Sequence, residues 1–177
     1  MFNLLGALVY LLVMALALAA VPVAARYPGA LRRRVRRHWL ALAALFAGLA
    51  AWRFGQGEWR LQELIRSLAR AEGAYEVRRL WQAALLVVLI PACVVLVRRM
   101  IGGQRLPGSV IVSRAAALML LCYSALRVIS WHYIDVIIYA SLGPIHMNFL
   151  IDMGLTGLAA CGALIELGLL PRRLFDR

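Results

Sequence analysis

From about Asn3 to Ala25 the chain runs without a charged side chain, and this run is followed at once by a cluster of arginines: Arg26, Arg32, Arg33, Arg34, Arg36 and Arg37. A helix rising about 1.5 Å per residue over such a run is long enough to cross a hydrocarbon layer of about 30 Å. In that layer a helix satisfies its own backbone polar groups, which an irregular segment cannot do. A secretory signal would carry positive charge ahead of the apolar run. Here the charge follows it, and although Val23-Ala24-Ala25 loosely mimics a cleavage site, the run is too long for a signal. The segment is therefore expected to be a retained anchor with its N-terminus outside.

The rest of the chain extends this pattern. Apolar residues make up 64% of the 177 positions and charged residues only 16%, with a mean hydropathy of +0.81. This exceeds what a water-soluble core requires. The net charge of +12 would point to nucleic acid in a soluble protein. Here the arginines sit at the ends of apolar segments, where they set orientation, so no nucleic-acid partner is expected. Every one of the 20 basic residues is arginine; that choice carries no functional meaning.

Read as one domain over 1–177, the fold class is an all-α integral membrane protein with about five transmembrane helices and one external amphipathic interfacial helix. The spans are expected at about 3–25, 39–54, 80–97, 110–132 and 147–170, and the interfacial helix at about 58–72. Trp39 and Trp52 frame the short second span. In the amphipathic segment Leu61, Leu64, Ile65 and Leu68 recur at helical spacing while Arg60, Glu63, Arg66 and Arg70 take the other face. Pro91 should kink the third span. The fourth apolar run continues past any single perpendicular crossing, so it is split after His132, leaving a short interfacial or re-entrant piece before the Gly143-Pro144 break.

This map puts twelve arginines on one side and six on the other, where Glu58, Glu63, Glu72 and Glu76 offset them. The asymmetry implies a bacterial inner membrane protein with its N-terminus outside and its C-terminus in the cytoplasm. Trp52, Trp59, Trp81 and Trp131 gather on the outer side as an aromatic belt.

Ionisable residues inside spans are costly and are therefore candidates for function. Four are expected here: Arg114 and Arg127 on the fourth span, Asp152 and Glu166 on the fifth. In an antiparallel pair of helices Arg114 shares a depth with Glu166, and Arg127 with Asp152, which suggests two interhelical ion pairs. Against this, Arg114 and Arg127 lie about 140° apart around their helix at 3.6 residues per turn. Asn148, Asp152, Thr156 and Glu166 share one face of the fifth span, which should point into the bundle. Gly154, Gly157, Ala159, Ala160, Gly162 and Ala163 would permit close helix approach.

A second reading groups Arg127, His132, Asp135, His146, Asn148 and Asp152 as an outer polar pocket for a lipid headgroup, a quinone-like head or a small anion. Arg127 would be the anion partner and Asp152 its orienter. His132 and His146 border one short segment and could ligate a b-type haem. A soft copper site from His146, Met147 and Met153 is weaker, since methionine on an apolar helix usually packs. Ser130, His132 and Asp135 offer triad residue types, but crowding into one segment opposes the geometry.

Phosphate-cradling and paired acidic motifs are absent. Cys93, Cys122 and Cys161 stand alone in separate runs and read as small apolar side chains. The expected function is a non-catalytic small subunit or assembly partner of a larger membrane complex, packing against lipid and other integral membrane proteins. The alternative is binding through the outer pocket, and an intramembrane enzyme or haem protein comes third.

Overall fold

The computed structural model describes residues 2–57, 59–61, 63, 64, 67, 87, 91, 94, 95, 98, 106–129, 141, 142 and 145–171. Helix α1 covers Phe2–Val23 and runs into a 3-10 turn over Ala24–Arg26. Helix α2 covers Gly29–Phe54, α3 covers Gly108–Ile129 and α4 covers Met147–Leu167. A two-residue antiparallel pairing, Ser141–Leu142 with Ile145–His146, precedes α4.

Local chemistry explains the ends. Pro28 is extended and gives its carbonyl to the amides of Leu31 and Arg32 at 3.1 and 3.4 Å, so α2 starts where proline cannot continue the preceding turn. At the other extreme Gly168 takes φ +79° and donates to Ile165, while Leu169 donates to Leu164 at 2.9 Å. This is a Schellman cap, which a residue with a Cβ would strain. It ends the last helix at Leu167 rather than near Leu170.

Burial repeats every three to four residues on each helix. On α1 it falls at Ala7, Tyr10, Val13, Ala17, Ala20 and Ala24, and on α2 at Val35, His38, Trp39, Leu42, Phe46 and Ala50. The alanine-rich seam lets α1 and α2 pack as an antiparallel hairpin. Helices α3 and α4 form a second pair, and α1 also lies along α4. Side-chain contacts fix the directions. Tyr10 of α1 and Tyr27, just past the 3-10 turn that extends it, meet Asp152 and Glu166 of α4 respectively, so α1 and α4 run parallel. His38 and Arg53 mark the two ends of α2 in the opposite sense. We call the end holding Arg32–Arg37 the basic end, and the other the distal end.

Among the described residues three helices are long and apolar enough to cross a membrane: Leu4–Arg26, Gly108–Arg127 and Met147–Leu167. Their outward faces carry Leu4, Leu8, Leu12, Met119, Leu150 and Leu158, each more than two-fifths exposed. Contiguous leucine surface of this kind is a liability in water and the ordinary state in lipid. The protein is thus helical and built to sit in a membrane. The second expected span, Trp39–Phe54, forms the back part of α2, whose front part bears the exposed arginines. Most of the third expected span and of the expected surface helix lies outside the described residues; the described positions within them are helical.

Candidate functional site

At the distal end, Asp152 is almost fully buried, only 2% exposed. An unpaired carboxylate there would be very costly. Three helices converge to satisfy it. Tyr10 on α1 donates its hydroxyl to Oδ1 at 2.5 Å, and Arg53, in the last turn of α2, makes an ion pair with Oδ2. The guanidinium also donates to the Tyr10 hydroxyl at 3.5 Å and lies 5.5 Å from that ring's centre. Phe46 meets the same ring edge-on at 5.7 Å, fixing its orientation.

About four turns along α4, at the basic end, Glu166 is 1% exposed. Ser109, at the start of α3, donates to its Oε2 at 2.6 Å, and Tyr27 donates to the same oxygen at 3.2 Å. Among the described residues Oε1 has no hydrogen-bond partner. A second strand of this cluster runs through His38. Arg114 donates Nε–H to His38 Nδ1 at 3.3 Å, which leaves His38 Nε2 as the donor to Ser113 Oγ at 2.7 Å. Ser113 in turn donates to the Ser109 carbonyl at 2.8 Å. His38 precedes the apolar part of α2. Burial, and then the Arg114 charge, lower its pKa to about 3 and keep the ring neutral.

Beside the basic-end cluster the α3–α4 contact is very close. A Cβ on Gly162 would stand 2.7 Å from the Ser109 carbonyl oxygen and 2.8 Å from Ser113 Cβ, so only glycine fits. Gly154 and Gly157 differ: nothing lies near their Cβ positions, and both face outward. The small-residue face is therefore two faces, one packed and one open.

No family model matches the chain, and neither a curated protein nor a solved structure is detectably similar to it.

The residue pairings differ from the sequence expectation. Asp152 takes Arg53 and Tyr10 rather than Arg127, and Glu166 takes Ser109 and Tyr27 rather than Arg114, which turns to His38. The reason is that the acid-bearing face of α4 looks toward α1 as well as α3, so donors from the first hairpin reach it. The inward face itself matches: Asp152, Thr156 and Glu166 are all buried.

Of the six pocket residues, Arg127 and Asn148 come together around Tyr123. Its hydroxyl donates to Asn148 Oδ1 at 2.7 Å, and the Arg127 guanidinium lies 6.0 Å from its ring centre. His146 is exposed at the head of α4. His132 and Asp135 lie outside the described residues, as does Ser130, so neither the haem pair nor the triad types can be placed. Among the described residues no three His, Cys, Asp or Glu side chains cluster as a metal site. Cys122 is disulfide-bonded, correcting its reading as a lone apolar side chain, and Cys161 is a free thiol.

Tyr10, Tyr27, Arg53 and His38 join the two clusters without being among the site residues expected from the sequence. Arg53 was readable in principle, because it ends the second apolar stretch at the depth where Asp152 begins the last one. A tyrosine eight residues after Phe2 in an otherwise aliphatic run was a weaker signal of the same kind.

Proposed function

We propose that the protein is a non-catalytic integral membrane component, a small subunit or assembly partner that packs against a larger complex in a bacterial inner membrane. The observation that carries this reading is the saturation of Asp152. Both of its oxygens are used by Tyr10 and Arg53, so the strongest ionisable candidate holds helices together rather than facing a ligand. The open face of α4 around Gly154 and Gly157 offers a close-packing surface of the kind membrane helices use on one another.

The topology belonging to this reading is five spans, N-terminus outside and C-terminus in the cytoplasm. Two observations support it. The arginine-rich front of α2 favours a cytoplasmic basic end. Moreover α2 ends at the distal end while α3 begins at the basic end, as an odd number of crossings between them would require.

Binding through the outer polar residues remains the second reading, favoured by the grouping of Arg127 and Asn148 on Tyr123. Asp152 has no part in it as an orienter. Purification of the tagged protein from its own host in mild detergent, followed by size exclusion and mass spectrometry, tests the first reading. Stoichiometric co-elution with larger membrane proteins is expected; elution alone as monomer or homodimer would overturn it.

A further inference from the structure

The face of α2 opposite its packed side carries Gly48, Trp52 and Gly55, and it is open. Beyond Phe54 the chain turns back through Gln56, which adopts φ +51°, and the helical residues that follow bring Arg60, Leu61 and Leu64 over this face. The turn is fixed by packing: a Cβ on Gly57 would fall within 2.3 Å of the Trp52 indole, so the ring lies directly on the Gly57 backbone. Between the two walls is a groove of about 560 Å³. Its floor is small and apolar, with nothing near the Gly48 Cβ position.

Among the described residues, Arg60 is the only charged one in the lining and no acidic group pairs with it. The groove lies at the distal end, beside exposed Trp52 and Trp59, which are the residues expected at a membrane interface. It runs from that level toward mid-membrane along α2.

We propose that this groove seats one acyl chain of a phospholipid whose phosphate rests on Arg60. The floor has the chemistry of a hydrocarbon tail, and the unpaired guanidinium complements a phosphodiester at the depth where headgroups lie. A helix of a partner protein is the poorer occupant, because it would have to bring an acidic residue into the membrane interface to meet the Arg60 guanidinium, whereas a phospholipid carries that charge in its headgroup. The proposal rests on the membrane reading of the chain and is independent of whether the protein serves a larger complex.

Native mass spectrometry of the purified full chain, titrated with phosphatidylglycerol in mixed micelles, tests it. One phosphatidylglycerol per chain should survive detergent exchange in the wild type. Arg60→Gln should raise the half-saturating lipid concentration about fivefold, the effect of one interfacial arginine, and Arg60→Lys should restore most of the loss. Gly48→Leu, which fills the floor, should abolish retention. Should Gly48→Leu fail to fold, Ala51→Leu reads the same floor. Equal retention by wild type, Arg60→Gln and the floor variant would overturn the proposal. So would full displacement of the lipid by inorganic phosphate, which would make Arg60 an anion site without a chain.

Discussion

The two buried acids of α4 sit on one face of one helix, yet the protein handles them differently. At the distal end Asp152 meets a full cation, Arg53, and a phenol, and both its oxygens are used. At the basic end Glu166 meets only two hydroxyls, both on the same oxygen, while the nearby cation Arg114 is spent on a neutral histidine. A charged pair in low dielectric depends strongly on its partner, because removing one member strands the other. A hydroxyl-bound carboxyl has less to lose. The distal cluster is therefore the rigid clamp joining α1, α2 and α4, and the basic-end cluster a looser network joining α1 to α3 and α4.

The comparison can be broken first at the clamp. Asp152→Asn should lower stability by about 3–5 kcal/mol, the cost of a stranded buried charge, read as an earlier midpoint in detergent-to-SDS unfolding. The pair Arg53→Met with Asp152→Leu should recover much of that loss, since no charge is then stranded. If Asp152→Asn unfolds like the wild type, the clamp is not structural.

Next in size is the close approach beside the basic-end network. Gly162→Ala forces a methyl against the Ser109 carbonyl and should cost about 1–3 kcal/mol. Gly157→Ala, facing open space, should leave the unfolding midpoint unchanged.

Acid should act on the basic end through His38. Its folded pKa lies below the ordinary 6.5, so between the two values the unfolded chain binds the extra proton and folding weakens as pH falls. The loss from pH 7 to pH 5 should be about 2 kcal/mol. A His38→Gln variant should lack that slope in unfolding titrations, and an identical slope would remove His38 from the account.

The smallest effect sharpens the contrast. Glu166→Gln keeps a carbonyl oxygen for Ser109 and Tyr27 and should cost below about 1 kcal/mol. A loss as large as that of Asp152→Asn would mean that the two ends work alike.

Much of the architecture was readable in advance because membrane helices announce themselves by uninterrupted apolar length. The runs at Asn3–Ala25 and Met147–Leu170 recur as α1 and α4 within a few residues. The exact stop at Leu167 depended on Gly168 reaching a left-handed conformation. The inward face of α4 was also legible, since Asp152, Thr156 and Glu166 follow helical periodicity and a bilayer leaves polar groups no outward alternative. Their partners were not. Depth along a helix can be counted from sequence, and it matched Arg127 with Asp152. Azimuth cannot be counted in this way, because it depends on which helices lie beside which.

The sequence by itself determined that this chain is helical, that its helices suit a membrane and that the acids of its last helix turn inward. These follow from the cost of exposing backbone and charge to hydrocarbon. Only the tertiary structure decided that α1 lies alongside α4, so that Tyr10 and Arg53 rather than Arg127 neutralise Asp152. Helix neighbours are chosen by the fit of small side chains over many positions, as where Gly162 meets Ser109, and no local pattern in the chain encodes that fit.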